Sequence, residues 1–165
     1  DEGLKIINSI RKRYDGSHRN PWNEVECGDH YVRAMSSWTL LHALTGISYS
    51  VELKQLILAP RINPSNFQSF FITNTAWGKV NQELSETRLD FTLCVSYGNL
   101  NLNSILLKSI EKLSLDKIKY CKILSLGKED KMINAKLIRK NSSIEISLSE
   151  TISIKENQKI LIELI

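Results

Sequence analysis

Glu24, Glu26, Cys27, His30 and Arg33 gather two carboxylates, a thiol, an imidazole and a guanidinium into one stretch, Asn20-Pro21-Trp22-Asn23-Glu24-Val25-Glu26-Cys27-Gly28-Asp29-His30-Tyr31-Val32-Arg33-Ala34-Met35-Ser36-Ser37-Trp38. Glu24 and Glu26 alternate, so in an extended loop they point to opposite sides and only one can face a given pocket. They make no obvious acid/base pair. Glu24 with Arg33 offers an acceptor and a donor to a polyhydroxyl ligand, each charged hydrogen bond being worth about 1.5–3 kcal/mol. The same two residues could equally close the turn as an ion pair, and spacing alone leaves both readings open. Cys27 and His30 form a Cys-x-x-His pair, half of a zinc tetrahedron. Nothing nearby supplies the other half: His18 is a loop residue and His42 lies among apolar neighbours. The expectation is no metal and no cofactor, with Cys27 a buried structural thiol. Cys27, Cys94 and Cys121 are odd in number and far apart, which suggests a reducing, cytoplasmic setting.

These groups need a scaffold, and local signals supply one. The Asn20-Pro21 step disfavours helix and fixes a turn. Asp29 is a good N-cap, Gly46 a good stop, and Tyr31, Ala34, Trp38 and Leu41, extended by Leu40 and Leu44, make a wide apolar stripe, so a helix is predicted over about 29–45. The 18 residues Ala34–Val51 contain no Asp, Glu, Lys or Arg, so that helix is expected to be buried. Leu4, Ile7, Ile10 and Tyr14, with Ile6, predict an amphipathic helix over about 3–14. After residue 48 the apolar period changes to two, as in Asp90-Phe91-Thr92-Leu93-Cys94-Val95-Ser96-Tyr97 and Ile144-Glu145-Ile146-Ser147-Leu148, and strands are predicted. Turns are expected at Gly98-Asn99, near Gly127-Lys128, at Asn141-Ser142 and around Glu156-Asn157. Phe67, Phe70, Phe71 and Trp77 form an aromatic cluster expected to seal the strands against the helices. The fold class is therefore α+β, with helices in 1–47 and an antiparallel, β-rich, sandwich-like extension in 48–165.

The chain has 165 residues, 42% of them hydrophobic, enough for one core of ordinary size. It has no apolar run of the ~18 residues a membrane span needs, and its first residues do not read as a signal peptide. It opens without Met and straight into a helix, as a piece of a longer protein would. The net charge of +4 lies wholly in residues 51–165, where 16 basic residues face 12 acidic ones. Those lysines alternate with apolar residues, the pattern of a solvated sheet face with protected edges. Arg11-Lys12-Arg13 complements a helix C-terminus. No nucleic-acid partner is expected, because aromatic residues do not interleave with a basic face.

Arg13-Tyr14-Asp15-Gly16, Arg19-Asn20-Pro21-Trp22-Asn23-Glu24-Val25-Glu26-Cys27-Gly28, His30-Tyr31 with Arg33, and Ser37-Trp38 together resemble the C-terminal signature of glycoside hydrolase family 116, the family of non-lysosomal glucosylceramidase (bile-acid β-glucosidase). The resemblance is close over about residues 4–50, looser at Phe67-Gln68-Ser69-Phe70-Phe71 and Trp77-Gly78, and absent beyond about residue 110. It implies a retaining β-glycosidase acting on a β-glucoside or related glycoside. Residues 1–47 would then be closing helices of an (α/α)6 barrel. It places the nucleophile and the acid/base upstream in the same chain, so this segment would hold no catalytic residue and would be inactive alone. Glu24 and Arg33 match positions that grip hydroxyls of the glucosyl ring. The alternative is a non-catalytic carbohydrate-binding or structural module.

Overall fold

The computed structural model describes residues 2–14, 17, 34–118, 121–126, 131–140 and 142–165. The chain divides into two compact units, Asp1–Leu40 and Leu41–Ile165. In the first, helix α1 (Glu2–Arg11) passes into a 3-10 turn, Lys12–Tyr14. Glu2 in the first turn and Arg11 in the last both suit the helix dipole, and Lys5 pairs with Glu2 at 2.8 Å on the exposed face. No residue of α1 is buried; Leu4, Ile6 and Ile10 are exposed. Helix α2 (Ala34–Thr45) begins in this unit and ends in the next. The predicted cap Asp29 lies outside the described residues.

The second unit starts with the last turn of α2. Gly46 ends the helix at φ 59°, and its N–H donates to His42 O at 2.9 Å. The terminal carbonyls that a helix leaves open are taken up by the chain that returns beside it: Arg61 N–H donates to Leu44 O at 2.9 Å and Ala59 N–H to Gly46 O at 3.1 Å.

Ten strands follow among the described residues. They are β1 (Ser48–Ser50), β2 (Gln55–Leu58), β3 (Asn66–Ile72), β4 (Ala76–Leu84), β5 (Leu89–Lys108), β6 (Cys121–Leu126), β7 (Lys131–Met132), β8 (Ala135–Lys140), β9 (Ser143–Lys155) and β10 (Lys159–Leu164). The 20-residue β5 is the spine. Its first half pairs antiparallel with β4 and β10, extending to β3 on one side and to β6 and β7 on the other. Its second half pairs antiparallel with β9, which carries β8, and parallel with β2, which carries β1. Inward residues of both halves, among them Leu58, Phe71, Val80, Phe91, Ile105 and Ile146, form one apolar core.

Alternation along β5 changes phase twice. Leu89, Phe91, Leu93 and Val95 face the core, then Leu100 and Leu102, then Ile105 and Leu107. Each change coincides with a register shift: opposite Trp77/Gly78 β5 carries one extra residue, which turns the following side chains to the other face, and between Leu102 and Ser104 it is β9 that carries three extra residues.

Tyr49 on β1 ties the edge of the sheet to its spine by donating its hydroxyl to Asn101 O at 2.7 Å. Burial pushes the phenol pKa above its usual value. The neutral form is therefore favoured in the folded state, so its contribution is complete below the unfolded pKa of about 10 and is lost as pH rises through the folded value. Tyr49→Phe should cost about 1–3 kcal/mol at neutral pH, because Asn101 O loses its side-chain donor, and should flatten the alkaline limb of a stability-versus-pH curve. Urea midpoints at pH 7 and above pH 10 measure both effects.

Three expectations are corrected. The described residues hold two short α-helices beside a ten-stranded sheet, and are not closing helices of an (α/α)6 barrel. The sheet is mixed and not antiparallel, because the chain leaves β2, makes the β3–β4 hairpin and returns along β5, laying Gln55–Leu58 parallel to Ser104–Leu107. Gly98-Asn99 is not a turn. Gly98, at φ 83°, lies inside β5. Of the α2 side chains that are described, Trp38 and Leu40 are exposed and Thr45 alone is buried. No helix among the described residues is long and apolar enough to cross a membrane.

Candidate functional site

Glu24 and Arg33, the predicted sugar-gripping pair, lie outside the described residues, as do Glu26, Cys27, Asp29 and His30. Among the described residues no group of three His, Cys, Asp or Glu side chains is placed to hold a metal ion. Cys94 is half-buried and forms no disulfide there.

Where the sheet does concentrate charge, strand register explains it. Glu83, Asp90 and Glu163 stand side by side on β4, β5 and β10, with Lys122 of β6 next in the row. Three carboxylates in one row would repel, and the turn before β5 supplies the remedy. Ser85 N–H donates to Arg88 O at 2.8 Å and Arg88 N–H to Ser85 Oγ at 3.0 Å, so the turn presents Arg88 to the row. Its Nε donates to Asp90 Oδ2 at 2.7 Å and its Nη2 to Glu163 Oε1 at 2.9 Å, while Lys122 Nζ lies 3.7 Å from Glu163 Oε2. Arg88 and Asp90 also line an open depression of about 450 Å³ with Ser65, Asn66 and Glu83.

Beneath it the fully buried Gln82 donates from Nε2 to Pro64 O at 2.8 Å, which ties β4 to the loop before β3. Gln82 Oε1 and Asp90 Oδ1 are buried without a hydrogen-bond partner among the described residues. With the guanidinium clamped between two carboxylates, the row acts as an ionic lock across three strands.

The other outward feature is aromatic. Strand alternation splits the expected four-residue cluster: Phe67 and Phe71 enter the core, while Phe70 and Trp77 face outward. Trp77 stands opposite Tyr97, the ring centroids 6.4 Å apart and the planes 22° from parallel. The pair is 52% and 61% exposed, with exposed Ile72 across from Trp77 on β3.

Glycines make this arrangement possible. A Cβ on Gly78 would lie 1.9 Å from Cys94 O, and one on Gly98 2.0 Å from Thr75 O. The signal that finds the outward indole is Ala76-x-Gly78-x-Val80, an inward period-two set that leaves Trp77 and Lys79 on the other face. Comparison with known family models, curated proteins and solved structures finds no match to this chain.

Proposed function

We propose that this chain is a C-terminal portion of a retaining β-glycosidase of the β-glucosidase or glucosylceramidase type, in which Glu24 and Arg33 grip hydroxyls of the glycosyl unit. The observation that carries the reading is the density of the Asn20–Trp38 signature, which sets a carboxylate and a guanidinium at the mouth of an uncharged segment. Such contacts orient the sugar and strengthen as its ring flattens toward the oxocarbenium-like transition state. Nucleophile and acid/base are assigned to the upstream part of the same chain, and the dispersed cysteines support a cytoplasmic setting.

Kinetics of the full-length parent test this. Glu24→Gln keeps the shape and removes the charged acceptor, and Arg33→Lys replaces a planar fork by a point charge. Each should lower kcat/KM toward an aryl β-glucoside by an amount equivalent to about 2–4 kcal/mol, with the circular-dichroism melt unchanged. Folded variants with normal kcat/KM would return the pair to a structural role. Turnover by the 165-residue chain alone, lost on mutating a carboxylate within it, would show that the chemistry had been misplaced.

A second reading, a carbohydrate-binding module without a reaction of its own, is favoured by the outward Trp77–Tyr97 pair.

A further inference from the structure

We propose that Trp77 and Tyr97 form a saccharide-stacking surface for one or two neutral pyranose units with equatorial hydroxyls. The proposal deepens the carbohydrate-binding reading, on which it rests, and uses neither Glu24 nor Arg33.

Ring geometry comes first. Offset-stacked aromatic pairs have centroids roughly 4.5–7 Å apart. At 6.4 Å and 22° the rings overlap only in part, and more than half of each residue stays open to solvent. An aromatic ring face carries the negative side of the quadrupole, and the C–H face of a pyranose with equatorial hydroxyls presents weakly positive hydrogens to meet it.

Area then separates the possible occupants. Aromatic side chains bury roughly 150–250 Å² each, so two half-exposed rings offer on the order of 200 Å². A stable protein interface takes about 800 Å² from each partner. The patch is sized for a sugar ring or two.

Polar groups around it match hydroxyls. Asn99, two residues beyond Tyr97 on β5 and also exposed, accepts from Ser153 Oγ at 2.6 Å through Oδ1, which leaves its amide N–H groups for a ligand. Thr75, in the turn before Trp77, donates to Asn99 O at 2.7 Å, fixing the backbone that carries the amide.

The platform is also held rigidly. Gly78 and Gly98 admit no side chain, and the register shift between Trp77 and Gly78 sets both rings on the outer face. A preformed surface spends little ordering entropy on a ligand.

The test is a titration of the 165-residue chain with cellohexaose, followed by tryptophan fluorescence and calorimetry. Saturable binding is expected. Trp77→Ala and Tyr97→Ala should each weaken it about tenfold, the scale of losing one aromatic stacking contact, while Tyr97→Phe, which keeps the ring face, should bind nearly as the parent does. Both alanine variants should melt like the parent, because the side chains are outside the core. Binding that is equally tight in Trp77→Ala would overturn the assignment of these residues and leave a carbohydrate-binding role elsewhere on the chain. No binding at millimolar cellohexaose would overturn both. Tighter binding of oligothymidylate than of cellohexaose, or a dimer that Trp77→Ala dissociates, would overturn the saccharide in favour of nucleic acid or a second copy.

Discussion

Phe91→Ala should destabilise the chain by about 3–5 kcal/mol, a large share of the 5–15 kcal/mol that holds a domain of this kind together. Phe91 is fully buried on β5, in register with Gln82 of β4 and Ile162 of β10, so its ring lies where three strands meet. Truncation removes apolar area and leaves a void that strands pinned by ladder hydrogen bonds on both sides cannot close. The loss would propagate, because β5 carries both halves of the sheet: loosening Leu89–Val95 weakens the pairings of β4 and β10 together. A urea titration should show the midpoint falling with little change in slope. Tyr97→Ala, six residues along the same strand but outward and 61% exposed, should stay within about 0.5 kcal/mol of the parent. A Phe91→Ala variant that lost less than about 1 kcal/mol would mean that the core repacks far more readily than its alternation implies.

Local signals were the legible part of this fold. Gly46 terminates α2 because a left-handed residue is needed there, and a glycine after a helical run announces that need. The change from a 3.6 to a 2.0 period at residue 48 marks where strands begin, since one buried face imposes that period whatever its partner. What was hidden depends on partners far away in the chain. Gly98-Asn99 has the composition of a turn, yet Gly98 continues β5 in register with Ala76, just past the bulge opposite Trp77/Gly78, and only the opposing Thr75-Ala76 segment decides between the two. The parallel pairing of β2 with β5 joins residues about fifty positions apart, beyond any local periodicity. Trp77 was legible in principle, but adjacency to Phe70 and Phe71 suggested a cluster where alternation separates them. The barrel helices came from the resemblance and not from the residues, and the described sheet corrects them. For Glu24 and Arg33 the residues state only a chemistry, acceptor and donor, and the resemblance alone turns that chemistry toward a sugar.

Gly98→Ala should be the most damaging single-methyl change in the sheet, on the order of 4 kcal/mol or more. Three costs combine. An L-residue in the left-handed region costs roughly 1–2 kcal/mol, and Gly98 sits at φ 83°. The added Cβ would lie 2.0 Å from Thr75 O and 3.1 Å from Ala76 Cα, both backbone atoms that no rotamer change can move. Thr75 O is also the acceptor of Asn99 N–H at 3.1 Å, and Thr75 Oγ1 donates to Asn99 O, so the displacement that relieves the clash breaks the contacts joining the β3–β4 turn to β5. A broken backbone pair left without a partner costs about 1–3 kcal/mol more. Gly3→Ala is the matching control: nothing lies within 4 Å of the added methyl, and a helical site should be neutral or gain up to about 1 kcal/mol. The functional consequence follows from position, since Gly98 is next to Tyr97, which stands beside Trp77. In a Gly98→Ala variant rescued by low temperature, tryptophan emission should shift and cellohexaose binding should fall even where most of the sheet persists. A Gly98→Ala variant with the parent's urea midpoint and emission would show that the backbone slides to admit the methyl, and the aromatic pair would then owe its geometry to the strands and not to the glycine.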